Sequence, residues 1–157
     1  MNRYIKSYKE QILKGDIQKA YRGLMDFMMN LRNHFIKEYP ADFISGHLYF
    51  GYMDITYFPF TPTKLKRDQL KIAIVLNHEQ VRFEIWLVGQ NKQIQKKYWE
   101  LFKGSDWDKS RVAATAEYSI LEEILVENPD FDDLSALTKK IETGAMKFIR
   151  DIMGVLY

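Results

Sequence analysis

Apolar residues near the N-terminus recur every three or four positions, which is the spacing of an amphipathic helix. This pattern predicts one helix over residues 2–13 and a second from Ile17 to about Glu38. Gly15 stands where a helix-ending glycine belongs, and Asp16 follows it as the expected N-cap. Pro40 disfavours helical geometry at the residue before it and ends the second helix. The two helices are therefore predicted to form an αα-hairpin.

From His47 the period of the pattern changes to two, which is typical of β-strands. Residues 47–60 predict one long strand, or two strands joined at Gly51, with aromatic residues on both sides. Residues 70–77 and 81–88 then alternate and predict a β-hairpin with His78 and Glu79 at its tip. The expected cross-strand pairs are Leu76–Val81, Ile74–Phe83 and Ile72–Ile85 on one face, and Val75–Arg82, Ala73–Glu84 and Lys71–Trp86 on the other.

The C-terminal half predicts two more helices separated by a strand. Asn91 is the expected cap of a helix over residues 92–103, and Asp132 or Asp133 the cap of a last helix that runs to the C-terminus. Residues 118–126 fit either period, and we favour a strand. The fold class predicted is α+β: an N-terminal helical hairpin, an antiparallel sheet of about four strands, an inserted helix and a C-terminal helix. Residues 1–157 are expected to form a single domain.

The amino-acid composition excludes several kinds of functional site but identifies none. The 157 residues include no cysteine. Apolar residues make up 46% of the chain and charged residues 28%, with 23 basic and 21 acidic side chains. These proportions are ordinary for a globular domain. The lack of cysteine excludes a disulfide framework, a thiolate metal site and a cysteine nucleophile. Charge is segregated along the chain, since residues 64–111 carry a net +5 and residues 112–157 a net −5.

We expect neither a targeting signal nor a membrane-spanning segment in this sequence. Its N-terminal residues include charges and lack the apolar stretch of a signal peptide. No run of about 20 mostly apolar residues is present. The expected location is therefore cytoplasmic, with no membrane partner.

One polar face of the predicted sheet is the candidate site. It places Arg82, Glu84 and Trp86 side by side, with Lys71 adjacent to them. An arginine offers a forked donor to a carboxylate or phosphate, and a tryptophan offers a flat wall for stacking. The full candidate set also includes Asp54, which joins this face if the preceding strand lies beside the hairpin. It further includes Asn91 and Lys92, which lie just beyond the end of the second hairpin strand. The structural alternative is that Arg82 and Glu84 only balance each other's charge on a solvated face.

This face favours a non-catalytic module that binds a small polar ligand or a protein partner, with no cofactor and no metal. A homo-oligomer is an open alternative, because aromatic residues on both sides of residues 47–60 need cover on both sides. The second interpretation is a metal-dependent nuclease using Asp54 and Glu84 as carboxylate ligands. Trp86 stands where such an enzyme needs a lysine, so the pattern departs from that type. Nucleic-acid binding without catalysis is disfavoured, because the order of elements differs from an RNA-recognition motif.

Several segments along the chain also carry a resemblance. They are residues 15–21 (GDIQKAY), 49–57 (YFGYMDITY), 70–75 (LKIAIV), 82–87 (RFEIWL), 91–92 (NK) and 128–131 (NPDF). With these segments the chain resembles a family of small uncharacterised bacterial proteins that are classed as a domain of unknown function. The resemblance implies a bacterial cytosolic source and a single domain. It implies no activity, cofactor or catalytic residue.

Overall fold

The N-terminal helices lie where the apolar spacing predicts them in the computed structural model, which describes residues 1–157. Helix α1 spans Asn2–Lys14 and helix α2 spans Asp16–Glu38. Gly15 joins them with a left-handed φ of 83°, a conformation that glycine adopts without strain. The N-cap of α2 is Gly15 rather than Asp16, whose side chain makes no capping hydrogen bond. The helices differ in packing, because α2 buries five apolar residues and α1 buries none.

The remaining elements build a five-stranded antiparallel sheet and three further helices. The strands are β1 Phe43–Ser45, β2 Ile55–Pro62, β3 Leu70–Asn77, β4 Arg82–Gly89 and β5 Leu121–Val126. The helices are α3 Thr63–Arg67, α4 Lys92–Gly104 and α5 Leu134–Leu156. The strands lie in the sheet in chain order. The α+β prediction is confirmed, with five strands in place of about four.

Of the two alternatives for residues 47–60, one long strand is wrong, whereas a break at Gly51 agrees with the turn in the structure. Strand β2 begins only at Ile55, and the chain before it turns back on the outer edge of β2. Tyr49 pairs with Tyr57 there through two backbone hydrogen bonds of 2.8 and 3.0 Å. Gly51 has a φ of +70°, and a Cβ at this position would lie 2.1 Å from the carbonyl oxygen of Ile55. A tight left-handed turn therefore replaces the extended backbone that the alternation predicted.

The predicted register of the β3–β4 hairpin is wrong by two residues. Leu76 lies opposite Phe83, and Asn77 opposite Arg82, so the tip has four residues, 78–81. The Asn77 side chain accepts the backbone N–H of Gln80 at 3.1 Å, and Val81 adopts a φ of 48°. These local features close a longer turn than the two-residue tip expected. Because side chains alternate with period two, a shift of two residues leaves each on its predicted face.

The core lies between one face of the sheet and helices α2 and α5. Phe35 of α2 packs against Phe60 with ring centroids 4.8 Å apart, and Phe27 packs against Phe83 at 5.4 Å. Helix α5 contributes Phe148 and Ile141 to the same buried cluster. The expected caps of the last two long helices are present, since Asn91 accepts the N–H of Ile94 and Asp133 that of Ala136. No helix has both the length and the apolar character needed to cross a membrane.

Candidate functional site

The second face of the sheet, called here the outer face, carries the candidate site. Strand register brings the residues of this face together across four strands. They are Ile55, Tyr57, Pro59, Lys71, Ala73, Val75, Asn77, Arg82, Glu84, Trp86, Val88, Glu122 and Ile124. The mixture of apolar, aromatic and charged side chains matches the polar and aromatic face that the sequence predicted.

Glu84 lies at the centre of the outer face and is buried, with 4% of its surface exposed. Its Oε1 accepts hydrogen bonds from Arg82 Nε at 2.7 Å and from Asn77 Nδ2 at 3.2 Å. Its Oε2 accepts the indole N–H of Trp86 at 2.8 Å. The hydrogen bond to Glu84 also raises the pKa of Arg82 above its ordinary value. A buried carboxylate costs several kcal/mol unless it is paired and hydrogen-bonded, and these three donors meet that need.

This network fixes the orientation of Trp86. Both carboxylate oxygens of Glu84 already accept from protein donors. Trp86 has its only polar atom occupied, so what it offers to solvent is the apolar surface of its ring. Sequence reasoning missed Asn77, which ends β3 on the same face. The correct register would have found it.

The outer face contains an open cavity of about 430 Å³, called here the outer-face cavity. Its apolar floor and walls come from three strands and include Ala73, Val75, Tyr57 and Trp86. Three of the six candidate residues, Trp86, Asn91 and Lys92, line it, and so does Lys71. Glu117 and Tyr118, from the segment before β5, contribute to its lining.

Helix α4 begins at the lining of this cavity because the backbone of Gly89 packs closely on it. A Cβ at Gly89 would lie 2.5 Å from the backbone nitrogen of Gln95. The Gln95 side chain is buried, with 7% of the residue exposed, and its Oε1 accepts the N–H of Gly89 at 2.7 Å. With Oε1 engaged, the Nε2 amide of this cavity-lining residue is left as a donor. Gln95 was also missed, although a polar residue on the buried stripe of Tyr98 and Phe102 was a signal for it.

The other candidate residues lie apart from this cavity. Arg82 and Glu84 line a second cavity of about 400 Å³ at the β5 edge, together with Asp108, Ser110 and Glu122. Arg82 also reaches Glu127, with Nη1 3.4 Å from each of its carboxylate oxygens. The structure therefore divides five of the six predicted residues between two cavities.

Asp54 lies in an exposed turn and lines neither cavity. Its Oδ1 accepts the backbone N–H of Tyr52 at 2.8 Å, and this bond is the main cause of a pKa below the ordinary range. The carboxylate thus holds the turn that precedes β2. A nuclease site needs Asp54 and Glu84 to share a metal, whereas their oxygens accept hydrogen bonds in separate networks. No group of three or more His, Asp or Glu side chains is placed to hold a metal ion.

Comparison with known proteins gives a family and no activity. The model of a family described as a domain of unknown function, DUF7000, matches residues 1–156. No match to the chain was found among curated proteins or among solved structures. The outer face is therefore interpreted from its own chemistry.

Proposed function

This chain belongs to the DUF7000 family of domains of unknown function, and because that description names no activity, we propose a function from the outer face alone. The protein is a non-catalytic binding module, and its ligand is a small anionic molecule with a flat apolar body. The ligand lies in the outer-face cavity, against Trp86 and over the floor formed by Ala73 and Val75.

The observation that carries this proposal is the fixed ring of Trp86 at the side of an apolar cavity. The Nε1–Glu84 hydrogen bond holds the indole in one orientation. A ring that is already ordered loses little conformational entropy on binding, so its stacking energy contributes more fully to affinity. Aromatic stacking beyond the burial of area contributes about 0.5–1.5 kcal/mol.

The charge of the ligand follows from the groups that line the cavity. Lys71 and Lys92 both line it, against the single carboxylate of Glu117. The Nε2 of Gln95 adds a neutral donor. Asn91 and Lys92, at the N-terminal end of α4, also line the cavity, and the positive end of the helix dipole favours an anion there. An anionic group at this end and a flat apolar body over the strands together use the whole cavity.

The test is an NMR titration of the ¹⁵N-labelled protein with 2-naphthoate and with its uncharged analogue 2-naphthamide. The chain has three tryptophans, so the indole signals of Trp99 and Trp107 serve as internal references for Trp86. We expect naphthoate to shift the Trp86 signal alone. Lys92→Gln should weaken naphthoate binding about 2- to 5-fold, the value of one exposed ion pair, and leave naphthamide binding unchanged.

Lys96→Gln is the matched control, because Lys96 is exposed on the same helix and does not line the cavity. It should leave both titrations unchanged. Ala73→Leu fills the floor of the cavity and should abolish the shift. If neither probe moves the Trp86 signal at millimolar concentration, the proposed site is wrong. Equal affinity for the two probes would remove the anionic group from the proposal.

A further inference from the structure

We propose that helix α1 docks the protein onto an anionic lipid surface. Met1, Tyr4, Tyr8 and Ile12 follow one another at intervals of three or four residues, and Ile5 lies four residues after Met1 and three before Tyr8. The five side chains therefore form one apolar stripe along the helix. The stripe is largely uncovered, since Tyr4 is 68% exposed and Tyr8 65%. This surface is separate from the outer-face cavity.

The stripe has no partner inside the chain. None of the residues of α1 is buried, and Ile12 alone reaches half-burial. The sequence pattern predicted a helical hairpin, in which the stripes of α1 and α2 would ordinarily cover each other. Here the buried residues of α2 begin only at Met25 and face the sheet core. A contiguous exposed apolar surface of this kind usually marks a site of interaction.

The charge around the stripe selects an anionic partner. Residues 1–24 contain six basic side chains and two acidic ones. The basic residues are Arg3, Lys6, Lys9, Lys14, Lys19 and Arg22. Two copies of this segment would bring like charges together, which disfavours pairing with a second copy. A helix with Tyr and Ile on one face and Lys and Arg on the other is typical of helices that lie in the membrane interface.

The shape of this end of the molecule fits a flat surface better than a peptide. Tyr21 stacks on His78, at the tip of the β3–β4 hairpin, with ring centroids 6.0 Å apart. The first turns of α2 and all of α1 precede this contact and contribute no buried residue. The turn before β2 reaches the same end of the sheet and exposes Phe50, Tyr52 and Met53. A helix with no buried residue offers no groove to a peptide, whereas it can lie flat among lipid headgroups.

The experiment is flotation of the full chain with phosphatidylcholine vesicles that contain or lack one third phosphatidylglycerol. We expect binding to the anionic vesicles only, and weaker binding at high salt because exposed charges are screened. Replacing both Lys6 and Lys9 by Gln should weaken binding about 30-fold, since each cation near such a surface contributes about 1 kcal/mol. Tyr8→Ser should also weaken it, through the loss of an apolar anchor.

Leu13→Ser is the matched control. Leu13 is 76% exposed on the same helix, but it follows Tyr8 by five residues and lies off the stripe. It should leave vesicle binding unchanged. Binding that is absent from anionic vesicles, or that responds equally to Leu13→Ser and Tyr8→Ser, would overturn the proposal. So would light scattering that shows a dimer which Tyr8→Ser converts to a monomer, because the stripe would then be covered by a second copy.

Discussion

At the residue scale, one buried carboxylate, that of Glu84, organises the hydrogen bonds of the outer face. Glu84 accepts from Arg82, Asn77 and Trp86, and these three donors come from two adjacent strands. Removing a charge from such a network leaves donors without acceptors, which costs more than the loss of an exposed ion pair. Glu84 therefore stabilises the sheet and also positions Trp86.

Glu84→Gln should lower the free energy of unfolding by about 2–4 kcal/mol. In the variant an NH₂ group replaces one of the two carboxylate oxygens that accept hydrogen bonds in the parent protein. This donor then faces either the indole N–H of Trp86 or the donors of Arg82 and Asn77. Glu127→Gln is the control, because Glu127 is more than half exposed and lies 3.4 Å from Arg82. It should cost at most about 1 kcal/mol. Equal losses in urea unfolding would show that the Glu84 network adds no stability.

Sequence patterning found part of this network and missed the rest for physical reasons. Arg82, Glu84 and Trp86 are two residues apart, so the period of a strand alone places them on one face. Asn77 required the cross-strand register, which depended on a turn length that the sequence left ambiguous. Gln95 required the approach of α4 to Gly89, which is a tertiary contact. The division of five of the six candidate residues between two cavities had no local signal.

At the scale of elements, the turn before β2 explains where strand prediction failed. Residues 47–60 alternate throughout, yet Gly51 adopts a left-handed conformation and Asp54 accepts the N–H of Tyr52. The turn allows the chain to fold back, so that Tyr49 pairs with Tyr57. Period-two patterning in this segment reflects two short antiparallel stretches rather than one long strand.

Gly51→Ala should destabilise the protein by about 2 kcal/mol, because a side chain there forces a strained φ and a clash with the Ile55 carbonyl. Gly23→Ala tests the same chemical change inside α2. A Cβ at Gly23 meets nothing within 4 Å, and alanine favours a helix over glycine by about 1 kcal/mol. That variant should be more stable than the parent. If urea unfolding shows that both substitutions change the free energy of unfolding in the same direction, this account of the turn is contradicted.

The helices were more predictable than the strands for reasons visible at this scale. Asn91, Asp133 and Gly15 act within one turn of the helix that each begins or ends, so their signals are local. Strand β1 has three residues and forms only because β2 offers an edge. Helix α3 has five residues, too few for a periodic pattern to be seen. Both elements were absent from the prediction.

At the scale of the whole molecule, His78 connects three parts of the fold. Its ring stacks on Tyr21 of α2, and its Nε2 lies 2.8 Å from Thr56 Oγ1 of β2. The Thr56 hydroxyl lies 2.7 Å from the carbonyl oxygen of Phe50 and donates to it, so it accepts from the imidazole. Burial lowers the pKa of His78 below 6.5, with Asp54 opposing part of that shift.

The global stability should therefore fall as the pH is lowered through and below about 6.5. The unfolded chain takes up a proton on His78 at the ordinary pKa of 6.5, while the folded chain takes it up only at lower pH. Protonation thus favours the unfolded state, and the contribution of His78 is full above that pH. His78→Gln keeps an N–H donor without titrating. Unfolding titrations at pH 7.5 and pH 5 should show a smaller pH dependence for this variant than for the parent, and an identical dependence would refute the linkage.

The order of strands in the sheet also bears on how the chain finds its fold. Each strand pairs with its neighbour in sequence, and the connections from β1 to β4 contain nine, seven and four residues. The β4–β5 connection holds 31 residues, including α4. By loop-closure entropy, closing it costs about 2 kcal/mol more than closing the β3–β4 turn. The pairing of β4 with β5, which completes the second cavity, therefore has the highest entropic cost. Local contacts favour a folding nucleus in the β2–β3–β4 meander.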